Sequence, residues 1–97
     1  MLLAPKLAEQ IRAVASASPG VAKIWLFGSR AREDAGDRSD IDLAVECPGA
    51  AAADFARTMI DRSELDTLLP VDVVRLDEAG PELARRIRSE GVVMYER

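Results

Sequence analysis

The sequence predicts a single small α/β domain, a central mixed β-sheet flanked by helices. Apolar residues recur at helical spacing in some stretches and form short runs or strict alternations in others, and Pro or Gly falls at the breaks. At 97 residues and 48% hydrophobic, the chain has material for one core and too little for two, since domains usually run on the order of 100 to 150 residues.

The first helix is expected over residues 5–17. Leu7, Ile11, Val14 and Ala15 share one side, Pro5 is tolerated in the first turn, and Pro19-Gly20 stops it. Residues 21–27 follow as a strand, bulky, β-branched and apolar enough to lie centrally in a sheet. After Gly28-Ser29 the chain can open a short helix. The second strand covers residues 40–46, where Ile41, Leu43 and Val45 face one way and Asp40, Asp42, Ala44 and Glu46 the other. On this reading one face packs and the other works. Pro48-Gly49 ends that strand, and residues 54–69 read as a helix with Phe55, Met59, Ile60, Leu65 and Leu68 on its apolar side, stopped by Pro70. Residues 71–74 make a third strand, residues 81–90 a helix closed by Gly91, and residues 92–95 a last strand. The order is α-β-α-β-α-β-α-β, with no internal repeat or dividing linker, so the domain is expected to span residues 1–97.

A formal net charge of −4 argues against a general electrostatic grip on nucleic acid, which needs a basic face. The single cysteine, Cys47, cannot form an internal disulfide and carries no metal or nucleophile signature. The first residues lack the apolar core of a signal peptide, and no stretch approaches the ~20 apolar residues that span a bilayer. A cytoplasmic protein with no membrane association is expected.

The run Phe27-Gly28-Ser29, ten residues, then Asp40-Ile41-Asp42-Leu43 carries the chemistry. A Gly-Ser turn after an apolar strand lets backbone N–H groups and a hydroxyl approach phosphate oxygens. Asp40 and Asp42 lie two apart on a strand, about 6.6 Å along the backbone, and point to the same side. Two carboxylates that close repel by about 4 kcal/mol at 4 Å and an effective dielectric of about 20 unless a cation sits between them. Oxygen-only ligands in a chain without histidine select hard ions, Mg2+ or Mn2+. Asp72 stands in a Val-rich strand expected to be buried, where an unpaired acid is costly unless compensated. If its strand lies beside the Asp40/Asp42 strand, three carboxylates can hold two cations roughly 3.5 to 4 Å apart, an arrangement suited to in-line phosphoryl displacement.

Gly28-Ser29, Asp40-Ile41-Asp42-Leu43 and Asp72 together resemble the DNA polymerase β nucleotidyltransferase superfamily. Gly28-Ser29-Arg30-Ala31-Arg32 with Ser39-Asp40-Ile41-Asp42-Leu43-Ala44-Val45 is similar, more narrowly, to the minimal nucleotidyltransferases, the MntA-like antitoxins encoded beside HEPN-domain toxins. The similarity covers nearly the whole chain. It implies a polymerase-β-like fold in which Gly28 and Ser29 hold the β and γ phosphates of ATP. Asp40 and Asp42 would bind both of two metal ions, and Asp72 would complete the metal site nearest the attacking hydroxyl. It also implies transfer of AMP to a tyrosine hydroxyl of a partner HEPN toxin. One departure is Glu33, where many such proteins carry glycine.

Arg30, Arg32 and Arg38 lie within the motif loop, and Arg30 and Arg32 are candidate triphosphate ligands; the plainer alternative is a solvated loop balanced by Glu33, Asp34 and Asp37. Arg85, Arg86 and Arg88 read more simply as a solvated helix face than as a binding patch. Trp25 and Phe27 read as core, and Tyr95 as an edge-strand residue with a remoter possibility of self-modification. Two other functions stay open: a non-catalytic module that neutralises its partner by complex formation, and nucleotidyl transfer to a small molecule such as an aminoglycoside. The latter usually comes with an added acceptor-binding domain.

Overall fold

The computed structural model of the chain describes residues 3, 5–17, 20–32, 40–46 and 71–96. Within them run helix α1 (Pro5–Ser16), strand β1 (Lys23–Phe27), the single turn α2 (Ser29–Arg32), strands β2 (Ile41–Glu46) and β3 (Val71–Arg75), a 3-10 turn (Leu76–Glu78), helix α3 (Pro81–Glu90) and strand β4 (Val92–Glu96). The helix expected over residues 54–69, the break at Pro48-Gly49, Cys47, Ser39 and the loop charges Glu33, Asp34, Asp37 and Arg38 lie outside the described residues. Among the described residues no helix is long and apolar enough to cross a membrane.

The four strands form one mixed sheet in the order β3-β2-β1-β4. β1 is internal, as its apolar character requires, and pairs antiparallel with both β2 and β4. β2 and β3 are parallel, with Ile41 opposite Val71, Asp42 opposite Asp72 and Leu43 opposite Val73. Parallel neighbours start at the same end of a sheet, so the first residues of both strands share one edge with the end of β1.

Side-chain alternation divides the core between the two faces. On one, Ile24, Leu26, Ile41, Leu43, Val45, Val73 and Met94 pack against Leu7, Ala8, Ile11 and Ala15 of α1. On the other, Ala44 is fully buried with Leu76 and Ile87, flanked by Trp25, Phe27, Val74 and Ala84. The expectation that only one face of β2 packs therefore needs correction. Strand periodicity identifies two faces but not which is covered, and α3 covers the second at Ala44.

Two local features shape the surroundings of β1. The β1/β4 register slips between Ile24, opposite Tyr95, and Trp25, opposite Val93, so Met94 is an extra residue that turns into the core, and its carbonyl accepts a 2.8 Å bond from Arg12 Nε of α1. Gly91 caps α3 with its N–H donating to the Ile87 carbonyl at 2.8 Å, yet its φ is −72°, not left-handed. Glycine stands there for space: a Cβ would run into the Ile87 carbonyl and meet the Leu26 carbonyl and the Trp25 ring at 3.2 Å. This close approach brings the end of α3 against the end of β1.

Candidate active site

β1 ends at Phe27, and the chain must turn sharply into α2. Gly28 does this at φ 75°, a region that residues with a Cβ adopt only at a cost of about 1–2 kcal/mol. The missing side chain also makes room: a Cβ on Gly28 would lie 2.5 Å from Asp42 Oδ2. The phosphate-turn candidate and the central carboxylate candidate are thus in direct contact, because Phe27 pairs with Asp42 across β1 and β2. Ser29 opens α2, which closes with Arg32 N–H donating to the Gly28 carbonyl at 3.2 Å.

Asp42 also pairs in register with Asp72 on β3, and adjacent strands lie about 4.8 Å apart. Asp40 sits just before β2, two residues from Asp42. All three candidate carboxylates therefore lie at one end of the sheet, with Asp42 beside Gly28. Burial, then the neighbouring Asp72 and Asp40 charges, push the Asp42 carboxyl above the ordinary carboxylate range. The charge penalty assigned from sequence to Asp72 belongs to Asp42 instead. Asp72 is exposed, because β3 is the outer strand of the described sheet and Asp72 lies near its open end.

These groups suit a hard divalent cation: every donor is a carboxylate oxygen, and the repulsion that adds to burial in raising Asp42 is what a cation relieves. Among the described residues no three such side chains stand close enough to enclose an ion.

The arginines separate. Arg30, expected in an open loop, is buried on α2. Arg32 is exposed and pairs with Glu90 Oε2 at 3.5 Å, reaching from α2 to the end of α3. Of the last helix, Arg88 reaches Glu46 at 3.8 Å, and Glu46 also accepts a 3.0 Å bond from Trp25 Nε1. Those contacts lie at the opposite end of β2 from Asp42 and belong to the scaffold. Tyr95, half-buried on edge strand β4 opposite Ile24, packs against the core away from the carboxylates. Sequence reasoning missed the role of α3 in bordering this edge; Gly91, directly after a helix and before a strand, was the only signal for it.

The sequence profile of the polymerase beta nucleotidyltransferases matches residues 9–97. No curated protein matches the chain significantly. Among solved structures, a chain of a toxin–antitoxin complex with AMP-PNP aligns with a TM-score of 0.71 at 24% identity, over 93% of this chain and 73% of that one. A chain of the tri-AMPylated Shewanella oneidensis HEPN toxin in complex with MNT antitoxin aligns with a TM-score of 0.65 at 23% identity, over 94% and 71%. The Y104A variant of an MntA toxin–antitoxin complex contains a chain that aligns with a TM-score of 0.67 at 25% identity, over 92% and 72%.

Proposed function

The chain belongs to the polymerase beta nucleotidyltransferase family, and from that membership we propose that it moves AMP from ATP to a tyrosine hydroxyl of a partner HEPN toxin and so acts as its antitoxin. The observation that carries this reading is the in-register row Phe27, Asp42, Asp72, with Gly28 pressed against Asp42. A phosphate turn touching a set of carboxylates is what transfer from a nucleoside triphosphate requires. The partner is supported by the neighbours above, one holding an ATP analogue and one a tri-AMPylated toxin.

Asp40, Asp42 and Asp72 would hold two Mg2+ ions, with Mn2+ able to substitute. Such ions neutralise triphosphate charge and favour the ionised form of an attacking hydroxyl. Gly28 and Ser29 receive the β and γ phosphates, with no Cβ at Gly28 to block their approach. Asp72, exposed at the outer strand, faces the incoming acceptor and takes up its proton. The acceptor oxygen bonds to the α phosphorus, the bond from that phosphorus to the α–β bridging oxygen breaks, and pyrophosphate departs with the electron pair. Catalysis is then mostly positioning and charge neutralisation.

Intact-mass analysis of a co-expressed HEPN toxin, after incubation with the chain, ATP and Mg2+, tests the reading. AMP increments on that protein, absent with Asp42→Asn, are expected. A stable complex without any increment would leave inhibition by binding alone.

A further inference from the structure

Beyond Phe27 and Gly28, on the face covered by α3, lies a pocket of about 180 Å3 bounded by Phe27, Gly28, Arg32, Leu83, Arg86 and Glu90. Its walls come from the end of β1, the turn α2 and the stretch of α3 from Leu83 to Glu90. It opens on the same side of the sheet as Asp42, since Phe27 and Asp42 are paired and share a face. Two guanidinium groups from different elements border it, together with one carboxylate. Arg32 is held by Glu90 at 3.5 Å, with both side chains well exposed. Arg86 forms no ion pair among the described residues.

We propose that this pocket takes the terminal phosphates of the nucleotide, that Arg86 is a substrate-contacting residue there, and that Glu90 is a stand-in anion displaced from Arg32 when the triphosphate enters. The inference rests on the reading of the chain as an ATP-using nucleotidyltransferase and adds residues outside its motif. The volume is below the roughly 300 Å3 at which pockets for drug-sized ligands begin, so it suits a pyrophosphate group and not a nucleoside. Guanidinium matches phosphate oxygens in a planar, two-point contact, and two such groups border the pocket. Glu90 makes the site selective. An exposed single ion pair is weak, so a multiply charged triphosphate outcompetes the carboxylate, whereas a monophosphate gains less from doing so. ATP is thereby retained in preference to a monophosphate, and Arg86 compensates the charge that builds on departing pyrophosphate.

Equilibrium binding of ATP, AMP and pyrophosphate in Mg2+, by calorimetry on the whole chain, tests this with Arg86→Gln, Glu90→Gln and, as a control outside the pocket, Arg85→Gln. Arg86→Gln is expected to weaken ATP and pyrophosphate roughly ten-fold or more, the scale of one charge-assisted contact, with AMP changed less than about two-fold. Glu90→Gln is expected to tighten pyrophosphate and to narrow the gap between ATP and AMP. Arg85→Gln is expected to bind as the unmodified chain does. Unchanged ATP affinity in Arg86→Gln, or equal losses for ATP and AMP, overturns the inference alone. Failure of the unmodified chain to bind ATP overturns the functional reading along with it.

Discussion

Asp42 concentrates the tension of the site in one side chain. It is half-buried, faces Asp72 and Asp40, and its carboxyl is raised for both reasons. A raised acid is protonated more readily in the folded than in the unfolded chain. Its ionisation therefore removes stability as pH rises from the ordinary carboxylate value, about 3.9, through the raised folded value. In the absence of divalent cations, Asp42→Asn is expected to be more stable than the native chain at pH 7, by less than about 1 kcal/mol because solvent screens the group. That advantage disappears below about pH 4, and urea midpoints at the two pH values measure it. A native chain equal to or more stable than Asp42→Asn at pH 7 without metal would mean that the three carboxylates are not in tension. The same substitution removes a proposed metal ligand, so stability and transfer move in opposite directions.

Helix α3 joins the scaffold to the site. Ile87 is fully buried against Ala44 and Leu76, while Leu83, Arg86 and Glu90 on the same helix border the pocket beyond Gly28. Ile87→Ala leaves a void under the sheet and is expected to destabilise the fold by about 2–5 kcal/mol, read as a fall in the denaturation midpoint. A loss below about 1 kcal/mol would show that α3 does not clamp this face. Start and stop signals alone located α3 at residues 81–90, because Pro81 opens it and Gly91 follows it. The reason for Gly91 was not legible, since its φ is ordinary and the need for glycine comes from the Ile87 carbonyl of the same helix and, less tightly, from Leu26 and Trp25 of β1, more than sixty residues away in sequence.

For the molecule as a whole, an acidic chain with carboxylates gathered at one sheet edge should gain more from metal and nucleotide together than from either alone. Mg2+ with ATP at about a hundred times its dissociation constant contributes about 2.7 kcal/mol, which for a chain of this size raises the melting temperature on the order of 10 °C. EDTA should abolish the rise, and so should Asp42→Asn. A rise that persists in EDTA would point to nucleotide binding that does not use the carboxylates.

The spacing of Gly28-Ser29, Asp40, Asp42 and Asp72 determined the family, because a glycine turn and alternating acids are local properties of the chain. Strand alternation likewise determined that Ile41, Leu43 and Val45 pack together. What only the tertiary structure decided are matters of pairing and cover. The parallel register sets Asp72 beside Asp42, the outer position of β3 leaves Asp72 exposed while Asp42 takes the burial, and α3 both buries Ala44 and brings Arg86 and Glu90 to the pocket bordered by Gly28. None of these follows from residue type, since each depends on a neighbour distant in sequence and on the sheet order that chooses it.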